Sequence, residues 1–193
     1  MRKIILNLAV TLDGYIEGPN GELDWLVRDE ETDFGDILND ILNDKDIIFY
    51  GRVSYESWGN YRPVEDASPT LKEAYNLLHS KTKYVFSRTR TGDNTQAIFI
   101  NSNIKERVLE IMQQPGKNIW LYGGKKLTTT FLNLGLIDVY KLAVHPVILG
   151  SGKPLFENIA ERHKLKLIEA KGFRSGVTLL TYEADRSTTS NSD

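Results

Sequence analysis

Hydrophobic and polar positions along the chain alternate between two periods, and the switches between them predict an α/β protein. From Arg2 to Val10, Ile4, Leu6, Leu8 and Val10 alternate with Ile5, Asn7 and Ala9, the two-residue period of a strand buried on at least one face. Phe34, Ile37, Leu38, Ile41 and Leu42 then recur at helical spacing, with Thr32 or Asp33 available as N-cap. A second short strand is predicted over Asp46–Tyr50. Ser68-Pro69 supplies a cap and a proline at the first helical position for a helix running through Leu78. Lys83–Ser87 and Ala97–Ile100 are strand-like. Asn103 with Glu106 resembles a capping box, ahead of a helix with Val108, Leu109 and Met112 on its face. Strands interleaved with helices imply a largely parallel sheet covered on both sides. The last third changes rhythm. Val139–Leu149, Leu165–Ala170 and Val177–Glu183 read as strands, with Gly172 and Gly176 at a hairpin turn, so the sheet should finish in antiparallel pairing. Residues 1–184 read as a single domain. The polar run 185–193 has no apolar anchor and is expected to be a disordered tail.

Composition narrows the class without choosing a function. The 193 residues, 40% hydrophobic, suffice for a sizeable core. A net charge of −2 and a pI near 6.0 leave no electrostatic footprint for nucleic acid or an anionic membrane. No apolar run approaches the roughly 20 residues of a membrane helix, and a cytoplasmic location is expected. The chain has no cysteine, which excludes disulfides and thiolate chemistry, and its histidines, His79, His145 and His163, lack metal-ligand spacing.

Four strand ends carry candidate chemistry. The glycine-rich stretch Thr11–Gly21 follows the first strand, at the edge where open α/β sheets bind ligands. Gly51-Arg52-Val53-Ser54 follows the second and combines backbone, guanidinium and hydroxyl at a helix start, a set suited to an anion. Ser87-Arg88 offers a second anion site. Gly123-Gly124 breaks a strand into the helix begun at Leu127, and no side chain obstructs a ligand's approach there. Two anion loops and a double-glycine turn fit a phosphorylated dinucleotide.

These residues also resemble a known family. Tyr122-Gly123-Gly124-Lys125-Lys126-Leu127 is similar to the glycine-glycine turn and helix of dihydrofolate reductase, and Gly51-Arg52-Val53-Ser54-Tyr55-Glu56 resembles its Gly-Arg-x-Thr-Trp-Glu segment. Thr11-Leu12-Asp13-Gly14-Tyr15-Ile16 and His145-Pro146-Val147-Ile148-Leu149-Gly150 look more like the riboflavin-biosynthesis reductase branch of that fold, the RibD C-terminal domain family. The resemblance runs from the first strand to about Glu183. It implies a three-layer α/β/α fold with a mixed, mostly parallel sheet of about eight strands and a C-terminal antiparallel hairpin. It further implies an NADPH-dependent reductase of the riboflavin-biosynthesis type, similar to 5-amino-6-(5-phosphoribosylamino)uracil reductase, transferring hydride to a small heterocyclic or carbonyl- or imine-type metabolite, and a homodimer.

By the same resemblance the cofactor would lie on Ala9, Gly51, Arg52, Val53, Ser54, Ser87, Arg88, Tyr122, Gly123, Gly124, Lys125 and Leu127. Asp13 is the candidate proton donor, with turn-capping as its alternative. Trp25, Tyr55 and Trp58 are candidates for an apolar wall against a flat substrate. Asp33 lies near the place of the dihydrofolate reductase acid, with helix capping as its alternative. The chain departs from the riboflavin-type pattern in having Tyr122 where a glutamate is common. It also has Ser57-Trp58-Gly59-Asn60-Tyr61-Arg62 where an Asp-Asp-Pro segment is expected. A dihydrofolate reductase proper and a non-catalytic nucleotide-binding protein are the alternative readings.

Overall fold

The computed structural model describes residues 1–27, 34–90 and 96–187. Its centre is an eight-stranded sheet. The strands are β1 (Ile4–Thr11), β3 (Lys45–Gly51), β4 (Thr82–Phe86), β5 (Ile98–Ile100), β6 (Asn118–Gly123), β7 (Val139–His145), β9 (Leu165–Gly172) and β10 (Thr178–Ala184). They are ordered β5-β4-β3-β6-β1-β7-β10-β9. Pairing is parallel from β5 through to β7, whereas β10 runs antiparallel to both β7 and β9. The expected C-terminal hairpin is therefore present. It closes with Phe173 N donating to Val177 O, and Gly176 has a φ of +84°.

The two-residue alternation sorts each strand's side chains onto two cores. On one face Ile4, Leu6, Val10, Ile47, Phe49 and Leu121 pack with Val108, Ile111 and Met112 of α4 (Ile104–Gln113) and Leu127, Phe131 and Leu132 of α5 (Lys125–Asn133). Phe131 is fully buried and meets Phe49 and Phe86 edge-on, a burial worth about 2–3 kcal/mol. On the other face Ile48, Tyr50, Val85 and Trp120 pack against Leu38 and Leu42 of α1 (Phe34–Asn43) and Ala74 and Leu78 of α3 (Pro69–Ser80). Ser68 caps α3 as expected, accepting the Leu71 amide at 3.1 Å. Among the described residues, no helix is long and apolar enough to cross a membrane.

Three local expectations are corrected. The strand after Asp138 stops at His145 rather than running to Leu149, because Pro146 has no N–H for the ladder and Val147 N turns back to His145 O at 2.8 Å. Asn103 forms no capping box. It sits at φ 49°, ψ 45°, outside the extended region from which a cap side chain reaches the helix, and makes no side-chain cap bond. A second, two-stranded sheet was not anticipated. It pairs β2 (Tyr15–Glu17) with β8 (Lys153–Pro154) and knits the loop after β1 to the loop after β7. Of the run 185–193, Asp185–Ser187 are described. Arg186 donates to Asp138 Oδ1 at 2.7 Å; residues 188–193 lie outside the described residues.

Candidate functional site

Parallel strands end their ladders together, so β1, β3, β4 and β6 deliver four loops to one edge of the sheet. At β3 the chain leaves Gly51 in extended geometry (φ −71°, ψ 149°) and enters a single helical turn, α2 (Arg52–Ser54), continued by a π-helical turn over Tyr55–Gly59. At β6 it passes Gly123, with a φ of +100° that disfavours any side chain, and a cis peptide to Gly124, then enters α5. The two turns face each other. A Cβ on Gly51 would lie 3.4 Å from Gly123 O and 3.5 Å from Gly124 N, and one on Gly124 would lie 3.0 Å from Ser54 Oγ. Gly51, Ser54, Gly123 and Gly124, anticipated separately, thus form one cradle.

Charge gathers beside it. Arg52 donates to Glu56 Oε2 at 2.6 Å, and Arg90 approaches Glu56 Oε1 at 3.6 Å while stacking over the Phe99 ring at 5.1 Å. Ser87 Oγ accepts the Arg90 amide at 3.0 Å, and Arg88 is exposed on the same turn. The sequence motifs pointed to Arg52, Ser87 and Arg88. Glu56 and Arg90 were missed, although the i,i+4 spacing of Arg52 and Glu56 was there to be read.

Other expected residues have structural partners. Val53 is exposed, and Leu127 is buried in the core around Phe131, its Cβ 3.7 Å from where a Cβ on Gly51 would lie. Lys125 reaches Glu157 Oε2 at 3.0 Å. Tyr122 is half-buried against Tyr50 and Trp120, with ring centroids 4.7 and 5.1 Å away. Ala9 lies on the same sheet face as these aromatics, one position out of phase with the core residues Leu8 and Val10. Trp25 packs edge-on against His145 at 5.4 Å and donates to Glu22 O. His145 Nδ1 accepts the Val27 amide at 3.0 Å, and burial pushes its pKa below the usual imidazole value. Tyr55 is buried, and Trp58 is exposed beside Tyr61. Asp33 lies outside the described residues.

Asp13 lies just past the end of β1, where its carboxylate is held by three donors. Its carboxylate accepts hydrogen bonds from Thr11 Oγ1 (2.6 Å), Leu149 N (3.2 Å) and Gly150 N (2.8 Å). The Thr11 hydroxyl first, and then the two amides, hold its carboxyl below the usual carboxylate range. These bonds tie the loop after β1 to the loop after β7.

Residues 2–179 match the family model of the RibD C-terminal domain. The chain belongs to that family. It is 53% identical over 181 residues to the uncharacterized protein YyaP of Bacillus subtilis strain 168, covering 94% of both chains. Among solved structures it is similar to a protein named for riboflavin biosynthesis from Shewanella sp. PV-4, with a TM-score of 0.76 and 23% identity over 96% of this chain and all of that one. It also resembles a dihydrofolate reductase from Enterococcus faecalis complexed with NADP(H), with a TM-score of 0.62 and 15% identity over 95% and 96% of the two chains. At these identities the structures establish the fold, which is that of dihydrofolate reductase. Family and fold together make this a reductase-like domain.

Proposed function

We propose that the protein is an NADPH-dependent reductase of a small heterocyclic or imine- or carbonyl-bearing substrate. One observation carries this reading. The Gly51–Ser54 turn and the Gly123-Gly124 turn meet at the strand ends within contact distance of each other, with guanidinium groups beside them. The donor set fits the cofactor. Backbone and the Ser54 hydroxyl meet a diphosphate, while Arg52 and Arg88 supply charge-assisted bonds to phosphate dianions. An arginine near the ribose 2′-phosphate favours NADPH over NADH.

Nicotinamide, when bound, supplies the hydride. The protein's part is to hold the ring about 3–3.5 Å from the acceptor carbon and exclude water. Ala9 has a side chain short enough to let a flat ring rest on β1. Asp13 acts as a positioning residue, keeping the loop over this edge in one conformation. The reading includes a homodimer. β9 is an edge strand exposed along its whole length, with Leu167 and Ile168 52% and 51% exposed, and such an edge invites pairing.

The deciding experiment is titration of the purified protein with NADPH and NADH, followed by quenching of tryptophan fluorescence. Binding that prefers NADPH, and that is weakened by Arg52→Ala or Arg88→Ala, is the expected result. Absence of binding by either cofactor would leave the protein with the fold but not the function.

A further inference from the structure

Between the π-helical turn and α3, residues 60–67 form an irregular strap on which Tyr61, Arg62, Val64, Glu65 and Asp66 are exposed. Its backbone amides bond locally, Tyr61 N to Trp58 O and Ala67 N to Val64 O. Two side chains of α3 hold it down. Lys72 Nζ donates to Glu65 O, and His79 Nε2 lies 2.9 Å from Tyr61 O. One ring contact adds to these, Tyr61 on Tyr75 at 5.1 Å. A cleft of about 290 Å³ separates the strap from α3, lined by Arg62, Val64, Glu65, Lys72, Tyr75 and Asn76. Packing beneath the strap is therefore incomplete, and its fastening rests largely on the two bonds.

The His79 bond has a defined protonation requirement. A carbonyl can only accept, so Nε2 carries the proton and Nδ1 of the neutral ring presents a lone pair. That lone pair faces Lys83 Nζ at 3.4 Å. Lys83 is 5% exposed on β4, and no carboxylate among the described residues pairs with it. The titratable and charged groups facing His79 are Lys83 from β4, Tyr61 and Arg62 from the strap, and Tyr75 one turn back on α3. None of them is negatively charged at neutral pH. Burial lowers the pKa of His79 most, the bond to Tyr61 O opposes it, and Lys83 and Arg62 lower it further. A second proton would set an imidazolium against a buried ammonium that β4 keeps in place. The half-buried ring on α3 is the freer of the two, and turning it away from Lys83 gives up Tyr61 O.

We propose that His79 is a proton-sensitive latch on the strap of residues 60–67, closed on the neutral imidazole and released in acid. The device is independent of the reductase reading.

Digestion of the full chain with endoproteinase Glu-C at pH 7.5 and 5.0, read by mass spectrometry as cleavage after Glu65, tests it. Rates are normalised at each pH to a peptide spanning residues 58–70, and far-UV circular dichroism follows the fold. Wild type should be cut several-fold faster at pH 5.0. His79→Gln keeps an N–H for Tyr61 O and cannot titrate, so its strap should stay protected at both pH values. Lys83→Met removes the buried charge that opposes the imidazolium and should also abolish the acid response. His79→Ala should be cut rapidly at both pH values. Equal wild-type rates at the two pH values would overturn the proposal. So would an acid response that survives in His79→Gln or Lys83→Met, slow cleavage of His79→Ala, or acid unfolding of the whole chain.

Discussion

Asp13 accepts the Gly150 amide at 2.8 Å across 137 residues of sequence, joining the loop that leaves β1 to the loop that leaves β7. The same carboxylate takes the Leu149 amide and the Thr11 hydroxyl, and the β2–β8 ribbon continues the join. Asp13→Asn replaces one acceptor oxygen with a donor and leaves an amide unpaired. It should lower Tm by a few degrees. The folded-state pKa of Asp13 lies below its usual value, so its contribution is present above the unfolded-state pKa and is lost as pH falls through the folded one. Wild type and Asp13→Asn should therefore converge in Tm on acidification. A gap that persists unchanged at low pH would show that the carboxylate charge is not what holds the loops.

Glu56 pairs with Arg52, one of the two arginines proposed to meet the cofactor phosphates, at 2.6 Å, and lies 3.6 Å from Arg90 beside it. All three side chains are about 40–50% exposed, so the ion pairs contribute little to stability, on the order of 0.5 kcal/mol. Glu56→Gln should leave the urea midpoint almost unchanged and tighten NADPH binding several-fold. Arg52→Ala should weaken binding about tenfold and flatten its dependence on salt. Weaker NADPH binding in Glu56→Gln would mean that the carboxylate orients the arginines instead of competing for them.

The two turns of the cradle respond differently to an added methyl group. Gly51 has ordinary extended geometry and its virtual Cβ is in van der Waals contact at 3.4–3.7 Å, so Gly51→Ala should change stability by no more than about 0.5 kcal/mol. Gly123, at φ +100°, cannot take a side chain without strain, and Gly123→Ala should cost about 1–3 kcal/mol. Both should weaken NADPH binding. Gly51→Ala is the informative variant, since loss of cofactor affinity without loss of stability marks backbone approach by a ligand. Full affinity in that variant would remove Gly51 from the binding surface.

Sequence carried the features that local chemistry determines. The strand and helix order followed from hydrophobic period, and the α3 start from Ser68-Pro69, because each depends on neighbours a few residues away. Gly51 and Gly123-Gly124 were identifiable as turns, but their contact with each other joins residues more than 70 positions apart and needed the parallel register of β3 and β6. Asp13 shows the same limit. Asp-Gly at a strand end suits a turn or a site equally, and its bonds to the amides of Leu149 and Gly150 join residues 136 and 137 positions apart. The hydroxyls of Tyr50 and Tyr55, which have no hydrogen-bond partner among the described residues, left no sequence signal, since a buried tyrosine and a buried phenylalanine share one hydrophobic pattern.

His145 links pH to the loop that covers the strand ends. Its Nδ1 accepts the Val27 amide, which requires a neutral ring, and burial lowers its pKa. The unfolded chain takes up this proton near pH 6.5, while the folded protein resists it until lower pH. Stability should therefore decline as pH falls below about 6.5 and level off once the folded pKa is passed. His145→Asn keeps an acceptor for Val27 but cannot titrate, so its urea midpoint should change less between pH 7.5 and 5.5 than that of wild type. Equal slopes for the two proteins would assign the acid sensitivity elsewhere.

β9 offers the clearest test of assembly. It pairs with β10 along one side only, and every residue from Leu165 to Gly172 is exposed. Unpaired edges of this length are usually blunted by charge, and this one carries Lys164, Lys166 and Lys171 around an apolar centre at Leu167 and Ile168. A second copy covering that centre would bury both residues while leaving the lysines at the rim. Light scattering should report a dimer for the wild type. Ile168→Lys should yield a folded monomer, because a lysine at each copy's centre sets like charges against each other in a drying interface. A wild-type monomer, or a dimer unaffected by Ile168→Lys, would place any interface away from this strand.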